Sequence, residues 1–170
     1  MELSLYRAIV RSQFDATLDM LEDCIRRCPK ARWKAKVVKY PFWAVVYHAL
    51  ACTDIYAAPK MDAWKPDRRF QPKGTDDVVG ELPSRSFTQQ EMLAYCAFVR
   101  RRVRAAIARE TERSLRGPSG FDWVPLPRAE LHPYSLRHVQ HHVGQLGALL
   151  RRGGVGVKWK MGDKRAVRAR

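Results

Sequence analysis

The chain has 170 residues, 46% of them hydrophobic, and a formal net charge of +15. That length suits one domain with a real core, and the composition argues against wholesale disorder. No apolar run approaches the roughly 20 residues a membrane span needs. The start, Met-Glu-Leu-Ser-Leu-Tyr-Arg, lacks a basic region followed by an apolar stretch, so we expect a soluble, cytoplasmic protein with no signal peptide.

In chain order, the first helical pattern runs from about Ser4 to Arg27. Tyr6, Val10, Phe14, Thr17, Leu18, Leu21 and Ile25 recur at helical spacing, and Pro29 stops the pattern. Lys30 to Tyr40 is basic and reads as a loop. A second helix starts near Pro41, a favourable first helical position, and ends at Pro59. Lys60 to Phe87 then forms a long connection carrying Pro66, Pro72, Pro83, Gly74 and Gly80. A connection this long suggests a lid, the wall of a site or a packed surface loop.

Thr88, with Glu91 three residues on, reads as a capping box opening a third helix. Its apolar stripe is Met92, Tyr95, Val99, Val103 and Ile107, and Gly117, Pro118 and Gly120 lie past its end. Phe121 to Pro127 reads as an ordered turn anchored by aromatic residues. A last helix spans about Arg128 to Arg152, before Gly153 and Gly154. Four amphipathic helices of similar length predict an all-α domain, a four-helix bundle over residues 1–152 with a long connection between helices 2 and 3. Residues 153–170 form a basic extension, docked over Val155 to Met161 and disordered beyond.

Eight basic residues and one acid lie between Arg151 and Arg170, nearly half of the positive surplus. Much of the rest falls on the third helix: Arg100, Arg101, Arg102, Arg104, Arg109, Arg113 and Arg116. Such runs read first as a solvated face and a loose tail. No zinc-finger spacing or RNA-binding aromatic signature accompanies them, so nucleic acid is not the expected partner. Cys24, Cys28, Cys52 and Cys96 sit in apolar helical stretches and read as buried, reduced thiols.

The histidines carry the chemistry. His138 and His142 stand one turn apart and fall on the leucine-lined side of the last helix. His141 falls at its edge, facing a rim or supporting a ligand from behind. On the second helix, His48 is surrounded by Ala44, Val45, Ala51, Cys52 and Ile55, side chains that leave room beside an imidazole. A core histidine is ordinarily hydrogen-bonded rather than metallated, and a single His-x-x-x-His pair is weak evidence. A third inward histidine on a separate helix makes a three-nitrogen metal site the sharper reading. Imidazole donors suit zinc, nickel, iron or copper better than magnesium or calcium. Gln145, one turn beyond His142, reads either as a hydrogen-bond partner for a bound ligand or as an amide bridging helices.

Leu136 to Arg151, with His-x-x-x-His-x-x-Gln-Leu at His138, His142, Gln145 and Leu146, resembles the last helix of the DinB-like superfamily. The second helix, with Trp43, His48, Asp54 and Tyr56, is similar to that family's second helix. Thr88 to Arg102 and Ser119 to Trp123 resemble its third helix and the lead-in to its last. The resemblance implies up-down-down-up connectivity, a divalent metal (zinc or nickel) on the three matching histidines, and homodimers. It also implies a small-molecule substrate, because some relatives are transferases or isomerases using a low-molecular-weight thiol that the metal activates. The long connection and basic tail depart from simpler members. No general base stands out beyond His141. The alternatives are a metal-binding, stress-related protein without catalysis and, more remotely, a polyanion-binding module.

Overall fold

The computed structural model describes residues 2–37, 39–72, 83 and 85–162. Residues 73–82 and 84 of the long connection lie outside the described residues, as does the tail from 163 expected to be disordered. The described residues are all-helical. They form α1 (Leu3–Arg27), α2 (Phe42–Tyr56), α3 (Gln89–Arg109), a short α4 (Glu112–Arg116) and α5 (Arg128–Arg152). The only β pairings among them are two isolated bridges, Lys36 with Pro41 and Pro118 with Pro127. No helix among them is long and apolar enough to cross a membrane.

The long helices pack in a closed set. α1 lies against α3 and α5, and α2 lies against the same two. Each helix therefore buries a face on two neighbours, and Leu18, Leu21, Ile25, Leu50, Tyr95 and Leu146 are essentially inaccessible between them. α2 goes further: every residue from Phe42 to Tyr56 is buried except His48. A helix apolar all round belongs in an interior. His48 is the one position where α2 opens.

α3 begins with the expected capping box. The Thr88 hydroxyl accepts from the Glu91 N–H, while the Glu91 carboxylate accepts from the Thr88 N–H at 2.8 Å. Its end corrects the sequence reading, which carried the helix on toward Gly117. α3 stops at Arg109, and Thr111 caps the separate α4 by accepting from the Ser114 N–H. The break lets Glu110 turn inward, where it is 5% exposed. The loop expected over Lys30–Tyr40 contains a 3₁₀ turn at Lys30–Arg32.

α5 contains Pro133, which has no N–H for the carbonyl four residues earlier. That carbonyl, on Ala129, is taken up by the Tyr6 hydroxyl at 2.6 Å. The proline's missing donor is thus supplied from α1.

The described part of the long connection is packed down. Trp64, Phe70, Gln71 and Phe87 are buried. Trp64 and Gln71 donate to the fully buried Asp54 carboxylate on α2 at 3.3 and 3.4 Å, joined by the Tyr95 hydroxyl at 3.4 Å. Arg102 reaches the same carboxylate at 3.1 Å. Burial pushes the Asp54 carboxyl above its ordinary range despite Arg102 and these donors. Arg100, only 15% exposed in its side chain, bridges to Asp15, Asp19 and Glu22, and Arg104 grips Asp15 at 2.9 Å. The arginine run is therefore not simply a solvated face; its first half ties α3 to α1 and α2. Val155 and Val157 pack on the core after α5, and the Lys158 N–H donates to Asp23 at 3.0 Å, so this stretch is docked.

Candidate metal centre

His48 leaves α2 toward α5, where His138 and His142 stand one turn apart. The His138 Nε2 lies 3.2 Å from the Nε2 of His48 and 3.2 Å from the Nε2 of His142. One nitrogen from each ring falls within 4.8 Å of the others, and all three residues are half-buried. The rings meet edge to face, at 66°, 86° and 83°. Three planes turned away from one another can aim three lone pairs at a common point.

Hydrogen bonding among these nitrogens does not satisfy them. The His142 Nδ1–H donates to the Gln145 side-chain oxygen at 2.9 Å. Its Nε2 therefore presents a lone pair toward His138. If the His138 Nε2 carries a proton, it serves only one of its two neighbours. If it does not, two bare lone pairs face each other. A cation between the three removes the conflict. Two ligands about 2.05 Å from a tetrahedral ion stand about 3.3 Å apart, and about 2.9 Å apart at right angles, which brackets the observed spacing. The residues present can hold a metal ion.

Protonation favours the same state. Burial pushes the His138 imidazole down to about 3, helped by His142, His48 and His141. Burial likewise lowers His142 to about 4, over an opposing pull from Gln145. Both are neutral at physiological pH, the form a metal requires.

Gln145 sits behind His142, on the side away from His138. Its oxygen accepts from His142, and its amide donates to the His141 Nε2 at 3.0 Å. The amide thus fixes the His142 tautomer, as partners behind metal ligands do. His141 is exposed at the helix edge with its Nε2 lone pair engaged. The His138 Nδ1 is buried with no hydrogen-bond partner among the described residues. The Cys52 thiol lies 3.8 Å from both ring nitrogens of His48, and burial pushes it up to about 12. It lines the wall as a protonated thiol. All four cysteines are free and buried.

Sequence reasoning missed a second polar cluster. Glu110, turned inward at the α3 break, accepts from Arg128 at 2.8 Å, His132 at 3.0 Å and Ser114 at 2.6 Å, and the Arg7 side chain donates to its carbonyl. Burial raises the Glu110 carboxyl, but these donors and the Arg128 charge outweigh it and hold the group at about 2. The only signal available was an acid just before a Thr-x-x-Ser cap, which says nothing of its distant partners.

No protein-family model matches the chain, nor does any curated protein or solved structure.

Proposed function

We propose that this chain is a DinB-like metalloprotein, with His48, His138 and His142 holding one divalent cation, zinc or nickel, and that it acts as a thiol-dependent transferase or a related enzyme on a small molecule. The observation that carries the reading is the meeting of three imidazole nitrogens from α2 and α5, with the His138 Nε2 3.2 Å from both others. Three protein nitrogens leave coordination positions free, the pattern of a working site rather than a closed structural one. When bound, the ion supplies Lewis acidity, lowering the pKa of a thiol or water brought to it.

The protein's own groups do the positioning. Gln145 holds His142 in the tautomer that turns its Nε2 lone pair inward. Half-burial limits water around the site, which strengthens each electrostatic contact there. The fold proposed with this function is a four-helix bundle of α1, α2, α3 and α5 in up-down-down-up order, supported by the packing of α1 and α2 on the same two partners. Homodimers belong to the same reading; Leu5 and Ile9, exposed one turn apart on α1, are apolar surface a second copy would cover.

The test is metal analysis of protein loaded with zinc or nickel, followed by thiol-transfer assays on a panel of electrophiles with and without chelator. Stoichiometric metal with chelator-sensitive turnover supports the proposal. Stoichiometric metal with no turnover leaves the non-catalytic alternative, and no metal uptake removes both.

A further inference from the structure

The arginines of the α3 run separate in the fold. Arg100, Arg102 and Arg104 are spent on buried or half-buried acids. Arg109 and Arg113 are not: neither has an ion-pair or hydrogen-bond partner among the described residues, and both are exposed. They flank the α3–α4 break and line a cavity of about 470 Å³ together with Arg128, Glu110, Thr111 and Ser114. Arg128 is 5% exposed. Its Nε is held by Glu110 and its Nη1 by the carbonyls of Ala58 and Ser119, which leaves Nη2 without an acceptor among the described residues.

The one acid in the lining does not oppose an anion. Glu110 is neutralised by Arg128 and covered by His132 and Ser114. The hydroxyls of Thr111 and Ser114 are occupied by their own capping box. What remains is two uncommitted guanidinium forks over a buried third. Planar forks of this kind match oxyanions in bidentate fashion. Gly117 and Pro118 also line a second cavity of about 850 Å³, whose wall includes the half-exposed Trp123 and the buried Phe121. An anionic head in the first cavity would place an attached ring beside an aromatic wall.

We propose that this corner is a binding site for a small phosphate monoester carrying an aromatic or heterocyclic group. The site is separate from the histidines: Arg128 and His138 are ten residues apart on α5, about 15 Å at 1.5 Å per residue. The proposal therefore does not rest on the metal reading.

The test uses the full chain and titrates adenosine monophosphate, adenosine and inorganic phosphate by calorimetry at physiological salt. Adenosine monophosphate should bind saturably, at least tenfold tighter than adenosine. Arg109→Ala and Arg113→Ala should each weaken it about tenfold, as loss of a charge-assisted contact does. Because both side chains are exposed and unpaired, their thermal midpoints should match the wild type. Arg11→Ala with Arg26→Ala, on α1, should bind normally, as should His48→Ala. No saturable binding at millimolar ligand, or equal weakening in the α1 control, would overturn the assignment. So would preferential binding of duplex DNA lost equally from both arginine pairs, which would mark a diffuse polyanion surface instead.

Discussion

His138 is the informative residue to remove, because its Nε2 is the one 3.2 Å from the nearest nitrogens of both other imidazoles. In His138→Ala, His48 and His142 remain but lose the nitrogen between them. A ligand bound only by the folded state at a hundredfold excess over its Kd stabilises by about 2.7 kcal/mol. For a chain of this size, about 2–4 °C per kcal/mol converts that to a rise in Tm of about 5–11 °C. The wild type should show this rise on adding zinc or nickel and lose it with chelator. His138→Ala should show less than about a quarter of it at the same metal concentration. Metal-free, the variant should not be much weaker than the wild type, since truncation also removes a buried Nδ1 that has no partner among the described residues. Differential scanning fluorimetry with calorimetric metal titration reads both effects. A variant that keeps the full metal-dependent rise would show that these nitrogens are not the ligands.

Other perturbations probe the surroundings. Gln145→Ala should weaken metal binding about 10- to 100-fold without abolishing it, by freeing the His142 ring; a competition titration that finds unchanged affinity would argue that packing alone orients the ring. Glu110 has its folded pKa below the ordinary 4.5, so its stabilisation is present above pH 4.5 and lost as pH falls toward about 2. That linkage amounts to about 3 kcal/mol, and urea unfolding of Glu110→Gln should show a correspondingly smaller loss between pH 5 and pH 2.5. Tyr6→Phe should cost about 1 kcal/mol by orphaning the Ala129 carbonyl, but less beside Pro133→Ala, where an N–H returns to that carbonyl. Equal costs in the two backgrounds would refute the link between the proline and the tyrosine. Asp54→Ala removes the shared acceptor of Trp64, Gln71 and Tyr95, leaving only the Gln71–Tyr95 bond at 2.6 Å, so limited proteolysis should cut the connection after Trp64 faster than in the wild type.

The all-helical character was legible in the sequence because it is local. The stripe from Tyr6 to Ile25, the capping box at Thr88 and the glycines after Arg152 each act within one or two turns. The inward side of His138 and His142, and the outer position of His141, follow from helical spacing alone. Tertiary structure decided the rest, because it depends on groups distant in the chain. It brought His48 across 90 residues to 3.2 Å from His138. Of the roles left open for Gln145, support of His142 or contact with a bound ligand, it brought the side-chain oxygen to His142, a choice set by which atoms come within reach once α5 is packed. It also divided one arginine run in two. Arg100, Arg102 and Arg104 met acids contributed by α1 and α2, while Arg109 and Arg113, at the corner where α3 breaks, met none among the described residues; spacing along a helix carries no record of which partner waits across the interface.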